Sequence, residues 1–148
     1  MQIRRVVAVA TLAVLAAGAY APAMAAPKKP FAGSYQLTLL PDPSPNAFVL
    51  AGKAECMNIN PSAVDKHPLS VPRAGRLNVV LDSPDPTGKG VTDWDLYVLD
   101  SSGDDLADSS GGTSHEEVDI KFKKAEKITL VACNLAGQPS ATVTYKLK

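Results

Sequence analysis

Eleven of the fifteen acidic residues in this 148-residue chain lie between Asp82 and Asp119, with Lys89 the single base among them. Such a run has one obvious chemistry. Calcium takes six to eight oxygen ligands, mostly carboxylates and carbonyls from loops. Asp93 and Asp95 flank Trp94, and in a strand residues i and i+2 share a face. Asp82, Asp85, Asp100, Asp104, Asp105 and Asp108 occupy the neighbouring loop sequences. Asp82, Asp85, Asp93, Asp95 and Asp104 are therefore the candidate calcium ligands, and calcium is the one cofactor the sequence suggests. The stretch opening at Asp100 does not follow EF-hand spacing, because its third position is serine. Aspartate also forms turns by bonding its own backbone, so turn formation and solubility stand as the competing reading of the same run. Asp95 has a third reading, as a buried carboxylate accepting backbone N–H groups.

Other residue types offer less. Trp94 is in phase with Leu96 and Val98, which places it in the core. The competing role is a platform on which a sugar or peptide stacks. Tyr97 shares the opposite face with Asp95, as a packing residue or a ligand contact. His67 and His115, the only histidines, lack a third ligand at zinc spacing and read as solvated. A small secreted hydrolase would have to use Ser109, Ser110, Asp93, Asp95 or Glu116, yet no Gly-x-Ser-x-Gly elbow is present. Six lysines follow Ile120, against Glu126 alone. Those at 121, 123, 124 and 127 read as a wet strand face, with a polyanion site as the alternative. No phosphate-loop or dinucleotide signature occurs.

The elements that would position these residues are short and β-rich. Val118, Ile120 and Phe122 alternate with Asp119, Lys121 and Lys123, as in a strand with one buried and one wet face. Tyr35–Leu39, Leu77–Leu81, Trp94–Leu99 and Val143–Leu147 are further strands. Ala47–Leu50 is a short apolar run, and Ile128–Cys133 is apolar on both faces, as in a covered central strand. Proline and glycine clusters at Pro41–Pro45, Ser83–Gly90 and Ser109–Gly112 punctuate them. Residues 52–72 are irregular and have room for a short helix. About eight strands and no amphipathic helix predict an all-β, antiparallel, jelly-roll-like β-sandwich.

The segment Thr92-Asp-Trp-Asp-Leu-Tyr-Val-Leu-Asp-Ser-Ser-Gly103 resembles the bacterial pre-peptidase C-terminal domain family, whose modules carry a D-x-D-L-Y-V strand and a glycine turn. Ser109-Ser-Gly-Gly and Glu116-Glu-Val-Asp-Ile resemble the continuation, and Tyr145 the closing strand. The likeness spans about residues 75–148. Lys127–Asn134 departs from the family's usual Gly-x-Tyr-Tyr-x-Val, and these 148 residues include no peptidase sequence. The resemblance implies a jelly-roll-like sandwich without a catalytic centre, of a kind that in some relatives binds calcium or an extracellular polymer.

The N-terminus fixes the expected compartment. Arg4 and Arg5 precede an apolar run from Val6 to Ala21 that ends at Ala23-Met24-Ala25. Basic, apolar and small-x-small regions in that order make a secretory signal peptide, residues 1–25. Residues 26–30 are a flexible lead-in and 31–148 the domain. The apolar run is short for a bilayer span, so no membrane association is expected after cleavage. Loss of Arg4 and Arg5 leaves thirteen basic against fifteen acidic residues, which gives no global reason to expect nucleic acid. Cys56 and Cys133, the only cysteines, are expected to pair in an oxidising compartment. The sequence thus points to a secreted, non-catalytic module recognising an extracellular protein or polysaccharide. The alternative is a secreted protease inhibitor or interaction domain acting through a loop such as Pro41–Pro45.

Overall fold

A computed structural model describes residues 29–42 and 53–148. The expected signal peptide, most of the lead-in, the apolar run at 47–50 and most of the Pro41–Pro45 loop lie outside the described residues. The described chain forms eight strands: β1 (Phe31–Thr38), β2 (Val64–Val71), β3 (Gly75–Asp82), β4 (Asp93–Leu99), β5 (Asp105–Ser109), β6 (His115–Phe122), β7 (Glu126–Ala136) and β8 (Ser140–Leu147). A six-residue helix, α1 (Lys53–Asn58), and a 3-10 turn at Pro61–Ala63 precede β2.

Two four-stranded antiparallel sheets carry the orders β1-β8-β3-β6 and β2-β7-β4-β5. First pairs with last, second with seventh, third with sixth and fourth with fifth. This is a long hairpin folded over on itself, the jelly-roll arrangement expected from the sequence. Alternating side chains make the core. Leu77, Val79 and Leu81 of β3 and Val118 and Phe122 of β6 meet Trp94, Leu96 and Val98 of β4 and Ile128, Leu130 and Ala132 of β7. Trp94 is fully buried there, so the core reading of that residue holds and its face is closed to a ligand.

β7 is covered on both faces, as its sequence predicts. Its outer face, with Val131, Cys133 and Leu135, packs with Tyr97, Leu99, Ile59 and Val64 into a second apolar cluster. Cys56 of α1 bonds to Cys133, which fastens the helical segment over this sheet.

Two strands were not evident as alternating runs. β2 contains Pro68, which reads as a strand breaker. It is accommodated because β2 is an edge strand, where a missing donor costs no ladder bond. His67, expected to be solvated, instead stacks on Tyr35 of β1 with ring centroids 4.1 Å apart. That stack bridges the two sheets along one edge. β5 is short, acidic and mostly exposed, at the other edge of the same sheet.

The hairpin topology puts alternate connections at opposite ends. The β1–β2, β3–β4, β5–β6 and β7–β8 connections share one end, here the loop end. Backbone bonds tie them together there: Leu39 N to Pro139 O, Ser83 N to Ser114 O and Trp94 N to Thr113 O. Gly137 adopts φ +88°, and a Cβ on it would come within 2.6 Å of the backbone at Val91 and Thr92, so the β7–β8 turn fits against the β3–β4 loop only as glycine. The opposite end, here the turn end, holds the three short connections at 72–74, 100–104 and 123–125.

Candidate functional site

The five predicted calcium ligands do not gather at one point. Asp82, Asp85 and Asp93 belong to the loop end, Asp104 lies in the β4–β5 turn at the other end, and Asp95 is on the covered outer face of β4. Among the described residues, the one group of three potential ligand side chains within 4.8 Å of one another is Cys56, Cys133 and Asp95. Its two sulfurs are joined in the disulfide.

Most of the acids in the run have local work. Asp85 accepts hydrogen bonds from Thr87 N, Thr87 Oγ1 and Gly90 N, and these bonds, that of Gly90 first, hold its carboxyl below the usual range. Asp100 accepts from Ser102 N and Asp104 N at 2.7 and 2.9 Å. Both shape their turns. Asp82 meets His115 Nδ1 at 2.6 Å on the outer face, and that bond raises the imidazole pKa. Asp95 is fully buried and accepts from the hydroxyl of Tyr97. Burial and the neighbouring carboxylate push the Tyr97 phenol far above its usual range. Tyr97 is 1 % exposed, which favours packing over contact with a ligand.

Chemistry remains between the sheets at the loop end. Glu116 of β6 occupies an inward position in line with Val118, and is only 2 % exposed. Ser109 donates a short hydrogen bond to its Oε2. The hydroxyl of Thr113 lies 2.7 Å from Glu116 Oε1 and 2.7 Å from the carbonyl of His115. A hydroxyl carries one proton, so Thr113 can donate to only one of these two acceptors. Across the gap, a bulge in the β4–β7 ladder falls between Asp93 and Trp94, and such bulges re-aim side chains at sheet ends. Asp93 Oδ1 is buried with no hydrogen-bond partner. Its carboxyl pKa is raised, first by burial and then by the charge of Glu116.

This pair was not among the predicted ligands as a pair. The sequence names Asp93 among them, and Glu116 only as a hydrolase candidate and as part of the family-like Glu116-Glu-Val-Asp-Ile segment. The sequence signal that could have found Glu116 is its phase: a charged side chain at an apolar position of an otherwise clean alternation. Ser109 and His115 do not assemble a nucleophile and base, since Ser109 engages Glu116 inside whereas His115 engages Asp82 outside.

Tested against a hard cation, the donors fit in kind. Asp93, Glu116, Ser109 and Thr113 offer oxygen only, which is what calcium prefers. The orphaned Asp93 oxygen and the surplus of acceptors around Thr113 are what a cation would satisfy. More buried polar groups ring this centre. Asn134, fully buried, donates from Nδ2 to Leu39 O and Gln138 O, Trp94 Nε1 donates to Gln138 O, and Ser83 Oγ to Ser140 O. The loops are thus held by a desolvated polar network. Compared with known proteins, the chain matches no protein-family model and no curated protein sequence.

Proposed function

We propose that the chain is an exported, non-catalytic β-sandwich that binds an extracellular polymer, and that calcium between Asp93 and Glu116 sets the loops of its ligand-facing end. The observation that carries the reading is the desolvated, uncompensated negative charge there: a buried Asp93 oxygen with no partner beside the buried carboxylate of Glu116. Burying like charges without a counter-charge is costly. A divalent cation offsets that cost and, by drawing on β4, β6 and the β5–β6 loop together, couples ion binding to loop geometry. Further support comes from the N-terminal export pattern, from the Cys56–Cys133 bond suited to an oxidising compartment, and from the resemblance of the Thr92–Gly103 segment to extracellular accessory modules.

The test is a pair of melting curves, with calcium and with chelator, on the wild-type protein and on Asp93→Asn. Calcium is expected to raise the wild-type midpoint and to leave the variant unmoved. Coincident wild-type curves would remove calcium from this account.

A further inference from the structure

The turn end carries the opposite charge. Arg76 of β3 lies directly across from Lys121 of β6 in the ladder, and on its other side it exchanges both backbone hydrogen bonds with Lys148. Leu77, Leu147 and Phe122 point inward, so by alternation Lys148, Arg76 and Lys121 all project from the outer face of this sheet. Three cations abreast on adjacent strands are destabilising, because like charges directly opposite repel. Only Arg76 has an ion-pair partner among the described residues, Asp119 at 3.1 Å. The strand spacing puts neighbours in this row about 5 Å apart, comparable with the length of one hexose unit.

The row runs on into two adjoining depressions. One is lined by Ala74, Gly75, Arg76, Lys121, Phe122 and Lys123. The other shares Lys121, Phe122 and Lys123 and adds Leu106, Ile120, Lys124 and Glu126. Leu106 is exposed and Phe122 lines both depressions, so apolar surface adjoins the lysines. Asp119 sits beside Arg76 on this face and Glu126 lines the second depression; against these two acids stand Arg76, Lys121, Lys123, Lys124 and Lys148, so the β3–β6 side keeps a basic excess.

We propose that this basic surface is a second binding site, independent of the loop end, for an acidic extracellular polysaccharide carrying carboxylate or sulfate groups along its length. Charge complementarity supplies the attraction. The interspersed Asp119 and Glu126 disfavour a densely charged phosphodiester, and the apolar floor suits the C–H faces of sugar rings. Cations at about one-sugar spacing on a flat sheet suit an extended chain better than a compact anion.

The experiment measures retention of the purified protein on immobilised heparin, and titration with polygalacturonate, across a salt series. The wild-type protein is compared with Lys121→Gln/Lys123→Gln/Lys124→Gln, with the charge-retaining Lys→Arg triple, and with Lys89→Gln at the loop end. The triple Gln variant is expected to bind at least about tenfold more weakly and with a shallower salt dependence, since three charge contacts are lost. The Arg triple and Lys89→Gln should bind as wild type does. Melting curves no lower than the wild type's identify the loss as one of contact rather than folding. Equal retention of wild type and Gln triple overturns the proposal. So does tighter binding to duplex DNA or to anionic vesicles than to either polysaccharide, or salt-sensitive self-association abolished by the same triple, which would assign the surface to the acidic end of a second copy. Chelator should not alter retention, so this result is separable from the calcium test.

Discussion

The two ends of the sandwich handle polar groups in opposite ways. At the loop end several are buried: Ser83, Thr92, Glu116 and Asn134 are all shielded from solvent; Ser83 and Asn134 hold one connection against another, while Thr92 and Glu116 brace the β3–β4 and β5–β6 connections from within. At the turn end they are exposed, on short turns that need little support. The difference follows from topology. The folded-over hairpin sends its longest connections, including the crossing from β1 to β2, to the loop end, where backbone groups without ladder partners must be satisfied by side chains. Substitutions at the loop end should therefore cost stability, and those at the turn end should cost affinity.

The sharpest way to break this contrast is to release the crossing. Cys56 and Cys133 close a separation of 77 residues, and on the chain-entropy model such a link contributes about 4 kcal/mol. The Cys56→Ala/Cys133→Ala double variant should lose roughly that much in a denaturant titration. Next comes Gly137→Ala, whose new Cβ meets the Val91–Thr92 backbone at positive φ. A loss of about 3 kcal/mol is expected, read by the same titration. Asn134→Leu leaves Leu39 O without its donor and should cost about 2 kcal/mol.

Asp93→Asn acts with the opposite sign. The raised pKa of Asp93 means that its folded form favours the proton. The associated stability is full below the ordinary value of 3.8 and is lost as pH rises through the raised folded value. Without calcium, the variant should therefore match or exceed wild type above that window, with the gap narrowing on acidification. Melting midpoints across pH check this, and a wild type more stable than the variant at neutral pH in chelator would contradict the charge-burial account. The smallest effect belongs to His115. Its pKa is raised by Asp82, so the pair stabilises fully below the ordinary imidazole value of 6.5 and fades as pH rises past the folded value. Both side chains are more than half exposed, which holds the effect of His115→Ala to about 0.5 kcal/mol at acid pH.

Legibility in the sequence tracked the regularity of burial. β3, β6 and β8 were evident because one face is wet and the other dry, and β7 because neither is wet. β2 was hidden by Pro68, and β5 by its brevity and acidity, since edge strands need not keep a clean alternation. Asp85 and Asp100 were legible as turn formers because their partners lie within five residues. The pairing of Asp93 with Glu116 was not, because the two lie on different sheets and meet only when the layers stack.

The sequence by itself determined the fold class and the disulfide partners, because period-two burial and a single pair of cysteines leave little choice. Only the tertiary structure decided which charges share a surface. Arg76 and Lys121 come from separate strands and Lys148 from just past the end of a third, and Asp82 and Asp104, from one acidic run, end at opposite poles. Strand order is set by packing between distant segments, and linear spacing carries no record of it.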